Sequence, residues 1–269
     1  MRVPLLTAPR IVAFTLIYLG LAWLLVILVD GQNLFGLSDA LQDSVLEDEP
    51  LVWYHLFREA SPTEMLQWVM LGTGVILAAR LSGVLSSASY RDAAIFFTVI
   101  AAGMFLMLLE DTGNPRHHFW LYARHYMEDQ RTLFEFFFFG PIAFVMVYAI
   151  FRYWRYPFAS GHATLFFVLG FVFYAVAVTS SAMHQEADFY ERAGNFWHNL
   201  LADGDMVRPD GWSDFLFHFW LMDFLVEESI ELLGASSLLA GIVAYGHDFD
   251  REPAIGDGYE STPTPAGED

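Results

Sequence analysis

Six predominantly apolar runs dominate this chain, each long enough to cross a hydrocarbon core about 30 Å thick as a helix. They cover residues 11–29, 63–86, 93–111, 132–154, 161–181 and 212–245. Backbone amides in lipid have no water to bond, so spanning runs of this kind fold as helices. The expected fold is all-α, a six-helix transmembrane bundle that occupies residues 1–246 as one domain. Hydrophobic residues make up 55% of the chain and charged residues 17%, a balance that belongs to a multi-pass membrane protein rather than a soluble domain. The first run follows Arg2 and Arg10 and reaches Asp30 without a small-residue cleavage site, so it reads as a retained anchor.

Local signals refine two of the runs. Ser61-Pro62-Thr63-Glu64 combines a capping box with proline at the first helical position, a helix start. Trp212 to Tyr245 holds 34 residues and would reach about 51 Å as one helix, too long for one upright span and too short for two. One span preceded by an interfacial or protein-covered extension is expected, with Gly234, Ser237, Gly241 and Ala244 supplying small residues for close helix packing. Residues 247–269 are rich in proline, glycine and acid and are expected to form a disordered cytoplasmic tail.

Arginine placement sets the expected orientation. With the N-terminus inside, the short inner segments hold Arg2, Arg10, Arg80, Arg91, Arg152 and Arg155, all close to span ends. The longer outer loops hold Arg58, Arg116, Arg124, Arg131, Arg192 and Arg208. Density near the span ends favours both termini inside, in the plasma membrane.

All 13 basic residues are arginine, and neither lysine nor cysteine occurs. A retinal Schiff base, a Walker lysine, thiolate metal sites and cysteine nucleophiles are excluded. Thirty-two acidic residues give a formal charge of −19, which repels nucleic acid and anionic lipid and points to a salt-adapted (halophile) source.

Carboxylates lie where hydrocarbon disfavours them, and they gather on one side of the membrane. Glu64 opens the second helix, Glu110 and Asp111 close the third, and Glu135 sits one turn into the fourth. Glu227, Glu228 and Glu231 open the buried part of the last. The same side carries His117, His118, His125, His184, His198 and His218. Carboxylates with one or two imidazoles are the ligand set of zinc, manganese or iron. Glu110, Asp111, Glu135, Glu227, Glu231, His117, His118 and His218 are therefore the candidate ligands of one divalent ion. Glu227 and Glu231 stand at i, i+4, where two ionised carboxylates repel; an ion or an arginine between them would relieve this. Arg116, Arg131, Glu64 and Glu228 are assigned as structural charge partners. In the competing arrangement the acids only cap helix ends and pair with Arg116 and Arg131, and no ligand is held.

Some motifs are incomplete. Pro157-Phe158-Ala159-Ser160-Gly161-His162 looks like the box of the lipid-phosphate phosphatases, but that family's lysine-arginine motif and Ser-Arg partner are missing. The histidine spacings of the desaturases and the Glu-x-x-His pairs of ferritin-like di-iron helices are likewise missing from the spans.

Glu59 with Glu64, Glu110-Asp111 with Arg116, and Glu227-Glu228-Ser229-Ile230-Glu231 together resemble a loose group of uncharacterised prokaryotic multi-pass membrane proteins. That resemblance implies the architecture and an outward polar site, and no known reaction. In this chain Arg116 stands one residue closer to its acidic pair, and the Asn195 to Asn199 segment lies later than in the group. The expected function is non-enzymatic: a cation-responsive sensor, a transporter-like protein or an assembly partner, with membrane lipid around it and a membrane protein or a second copy as partner. The alternative is a metal-dependent hydrolase or lipid-modifying enzyme acting at the outer leaflet.

Overall fold

The computed structural model describes residues 7–42, 51–113, 115–123, 125, 131–156, 158, 160–183, 188–202, 206, 208 and 211–251. The side chains of 39, 41, 42, 116, 117, 120, 131–139, 142, 182, 202 and 251 also lie outside that description. The described residues are almost all helical. In chain order the helices are α1 (Ala8–Val26), continued by a π-helical turn at Ile27–Gly31, α2 (Leu37–Gln42), α3 (Val52–Phe57), α4 (Pro62–Ser87), α5 (Arg91–Gly113), α6 (Pro115–Ala123), α7 (Arg131–Tyr153), α8 (Gly161–Met183), α9 (Phe189–Ala202), α10 (Asp214–Trp220) and α11 (Glu228–Arg251). A second π-helical segment, Leu221–Glu227, joins α10 to α11 without a break.

Five segments are long and apolar enough to cross a membrane: Ala8–Gly31, Val52–Ser87, Arg91–Gly113, Gly161–Ser181 and Asp214–Asp250. The expected run 132–154 corresponds to α7, whose described apolar part is Ala143–Tyr153. Large apolar side chains cover the outside of these helices, among them Phe14, Ile17 and Leu21 on α1, Ile76 on α4 and Leu165 on α8. A soluble fold would turn such residues inward; an outer surface of this kind is compatible with a hydrocarbon surround.

The last span is the axis of the bundle. In its most apolar window 78% of the residues are buried, against 28% in the first and fourth spans. It packs against α8, α4 and α1. A helix enclosed on every side carries apolar residues all round, and from Leu232 to Tyr245 nearly every side chain is buried. Small residues permit the close approach: Gly234 lies against the Tyr174 ring and Gly241 against the Phe167 ring, both on α8. On α8 itself Gly170 faces Leu238, where an added Cβ would stand 2.6 Å from that side chain.

Asp214 to Asp250 forms one helical rod of 37 residues, with the π-helical segment between its extension and its span. The extension is protein-covered in part, because α9 lies along it. α11 continues to Arg251, and residues 252–269 of the expected tail lie outside the described residues.

Two polar devices set the helix starts at the end of the bundle where α4 begins. Ser61 Oγ accepts the backbone N–H of Glu64, and the Glu64 carboxylate reaches one residue past the cap to accept that of Ala60. Asp30, just past α1 and 2% exposed, accepts the N–H groups of Val52 and Trp53 at 2.9 and 2.8 Å. A carboxylate distant in sequence thus satisfies the orphan donors at the start of α3. At the opposite end Ser160 caps α8 through the Ala163 N–H and donates its hydroxyl to Asp248, tying α8 to the end of α11.

Candidate functional site: a carboxylate cluster around Gln67

Gln67 stands one turn beyond Glu64 on α4 and is fully buried. Its amide nitrogen donates to Asp111 Oδ2 at 2.7 Å and to Glu231 Oε2 at 2.9 Å. One side chain therefore joins α4 to the end of α5 and to the first turn of α11. Glu64 and Glu228 complete the group: Glu228 lies within electrostatic reach of Glu231, Glu64, Asp111 and Glu227. The Tyr174 phenol of α8 faces Asp111, Glu231 and Glu228. Four helices meet at this point, with Glu64 buried and Asp111, Glu228 and Glu231 half-buried among them.

The donor supply is short. Gln67 uses its amide hydrogens on two carboxylates, and its own carbonyl oxygen, Oε1, is buried without a hydrogen-bond partner. Glu228 Oε2 and the Tyr174 hydroxyl are buried and unpartnered as well. Each such group carries a desolvation cost of about 1–3 kcal/mol, more when charged, unless something supplies the missing bond. The cluster as built accepts more hydrogen bonds than its described members can donate.

Glu227 belongs elsewhere. It accepts the Tyr190 phenol of α9, and both side chains are buried. Burial, followed by the neighbouring Glu227 charge, holds the Tyr190 hydroxyl well above the usual tyrosine range. The expected repulsion between Glu227 and Glu231 is met by separate donors, Tyr190 for one and Gln67 for the other. The π-helical turn that ends at Glu227 is the local irregularity that accompanies this parting.

His218 also has another partner. Its Nε2 lies 3.1 Å from His198 Nδ1, so one imidazole donates a hydrogen bond to the other across the α9–α10 contact. α9 runs along α10 and the π-helical segment with a bond near each end, Tyr190 to Glu227 and His198 to His218. Between these bonds Gly194 sits directly on the backbone carbonyl of His218, where an added Cβ would collide.

Of the candidate residues, the structure brings Glu64, Asp111, Glu228 and Glu231 together, with Glu110 half-buried beside Asp111. It places Glu227 and His218 at the α9 contact and His118 exposed on α6. The side chains of Glu135, His117, Arg116 and Arg131 lie outside the described residues. Among the described residues no three histidine, aspartate or glutamate side chains are grouped so as to hold a metal ion.

Gln67, Tyr174 and Tyr190 are the members that motif reading passes over, while His198 stands in the sequence only among the outer-side histidines. Gln67 had a signal, since an amide three residues after Glu64 on the same helical face is rare cargo for an apolar span. Tyr174 and Tyr190 had none, because a tyrosine in an aromatic-rich chain looks like packing. The chain matches no protein-family model, and neither the curated proteins nor the solved structures contain a match to it.

Proposed function

We propose that this integral membrane protein is non-enzymatic and cation-responsive, a sensor, transporter-like protein or assembly partner whose working part is the cluster around Gln67. In this reading the chain crosses the plasma membrane six times with both termini inside, and α7 supplies the remaining span. The cluster then opens to the outer side. The observation that carries the reading is the fully buried Gln67 amide held between acids of two other helices while its own oxygen lacks a donor. Carboxylates in such a place gain free energy from any species that brings positive charge or hydrogen-bond donors.

The metal-dependent alternative takes His218 as a ligand beside the carboxylates, and His218 is engaged with His198. The middles of α5 and α8 are apolar, so the reading stops short of a permeation path. A membrane-protein partner or a second copy fits the assembly role.

Thermal unfolding of the purified chain, followed across pH and in sodium, calcium, manganese and zinc chloride, tests the reading. A species that binds the native state alone raises the melting temperature in proportion to the logarithm of its excess over Kd. The wild type should respond to at least one of these, protons included, and Gln67→Leu and Glu231→Gln should respond less. An identical response in all three proteins would overturn the assignment of the site.

A further inference from the structure

We infer that the species held by the cluster is a proton on Glu228, which sits there as the neutral acid with its O–H supplying the donor that the enclosed oxygens lack. The inference rests on the cluster being the responsive site.

Gln67 sets the hydrogen-bond pattern of the cluster. Its orientation is fixed by chemistry: the amide nitrogen must face Asp111 and Glu231, because two carboxylates can accept from NH2 and cannot donate to a carbonyl when ionised. That choice commits Oε1 to the remaining side, where it is enclosed and unpartnered. Glu228 Oε2 is a second enclosed acceptor without a donor, on a neighbour of the same two acids. The unpartnered Tyr174 hydroxyl can supply one hydrogen to these two enclosed acceptors, and one more hydrogen closes the account. A proton taken from water forms an O–H bond on Glu228, removes one negative charge and turns one of the two orphans into a donor.

Glu228 is the member suited to hold it. Asp111 and Glu231 already take a hydrogen bond each from Gln67, and Glu64 takes the backbone N–H of Ala60. Glu227 takes the Tyr190 phenol. These bonds stabilise the ionised form of their acceptors. Glu228 has no such bond at Oε2. The groups that face it are acidic or neutral on every described element: Glu227 and Glu231 on its own rod, Glu64 on α4, Asp111 on α5 and Tyr174 on α8. From α1 comes the Trp23 indole, which donates to the adjacent Ser229 hydroxyl at 3.0 Å. The side chains of Arg116 and Arg131 lie outside the described residues.

Infrared difference spectroscopy on the purified full chain tests this, with Glu228→Gln compared to wild type and to Glu227→Gln. The expected result is a protonated-carboxyl C=O band in the wild type at neutral pH, retained in Glu227→Gln and lost in Glu228→Gln. Glu228→Gln also supplies N–H donors, so that variant should fold and lose the wild type's pH response. If it does not accumulate, Gln67→Leu serves: the acid loses its acceptor, and its C=O band should move to higher frequency. A band that survives Glu228→Gln, or is unmoved in Gln67→Leu, overturns the inference. A wild type without the band that is still stabilised by calcium or zinc chloride overturns the proton and leaves the cation reading standing; no band and no response to ions or pH overturns both.

Discussion

The Tyr190 phenol donates to Glu227, while Glu228, one residue on, faces the cluster around Gln67. Adjacent glutamates on one helix thus serve two different contacts. Glu227 fastens α9 to the rod, and Glu228 faces α4, α5 and α8. Removing the phenol leaves Glu227 buried without that donor. Tyr190→Phe should therefore cost about 1–3 kcal/mol of stability, measured by chemical or thermal unfolding in detergent, whereas Tyr148→Phe at an exposed site should be near neutral.

Alkaline titration checks the same bond from the other side. Tyr190 keeps its proton in the folded state beyond the ordinary tyrosine range, because of burial and then Glu227. A raised pKa in the folded state means that its contribution is complete below the unfolded value of about 10 and is lost as pH climbs above it. Stability measured at rising pH should fall above about 10 in the wild type and fall less steeply in Tyr190→Phe. Parallel curves for the two proteins would contradict this.

Gly194 allows α9 to reach the rod. A Cβ there would run into the His218 carbonyl, a backbone atom that cannot swing aside. Gly194→Ala should loosen α9 and separate His198 from His218. Hydrogen exchange should speed up over Phe189–Ala202 and leave Leu232–Tyr245 protected. Unchanged exchange in α9 would mean that the contact is looser than described.

Asp30 spans two elements with two backbone bonds, to Val52 and Trp53. Asp30→Ala exposes both donors and should destabilise the chain by about 1–3 kcal/mol. Asp30→Asn keeps an acceptor oxygen and should fall between. Unfolding midpoints of the three proteins give the order directly.

Helix existence was legible because hydrophobic runs of about 20 residues leave little choice. The start of α4 was legible at Ser61 and Glu64, where short-range capping rules apply. The small residues of the last span were also readable: Gly234 and Gly241 do seat aromatic rings of α8. What escaped was the partnering. An i, i+4 pair such as Glu227 and Glu231 implies repulsion only if both point into the same space. Here Tyr190 takes one and Gln67 the other, and Tyr190 comes from a segment that reads as a loop. His218 was grouped with the acids by proximity in sequence, yet α9 brings it His198. Linear spacing carries no information about which helix will lie alongside. Asp30 shows the same limit: the residues that need it are Val52 and Trp53, far along the chain.

The central claim is that Gln67 makes one polar site out of acids on separate helices, and a double-mutant cycle between Gln67 and Glu231 tests it most directly. Unfolding free energies of the wild type, Gln67→Leu, Glu231→Gln and the double variant give the coupling between the two side chains. A shared, part-buried, charge-assisted bond at 2.9 Å predicts coupling of about 1.5–3 kcal/mol, with the double variant less destabilised than the sum of the singles. Free-energy changes that add to within about 0.5 kcal/mol would show that the two residues act independently and would contradict the account.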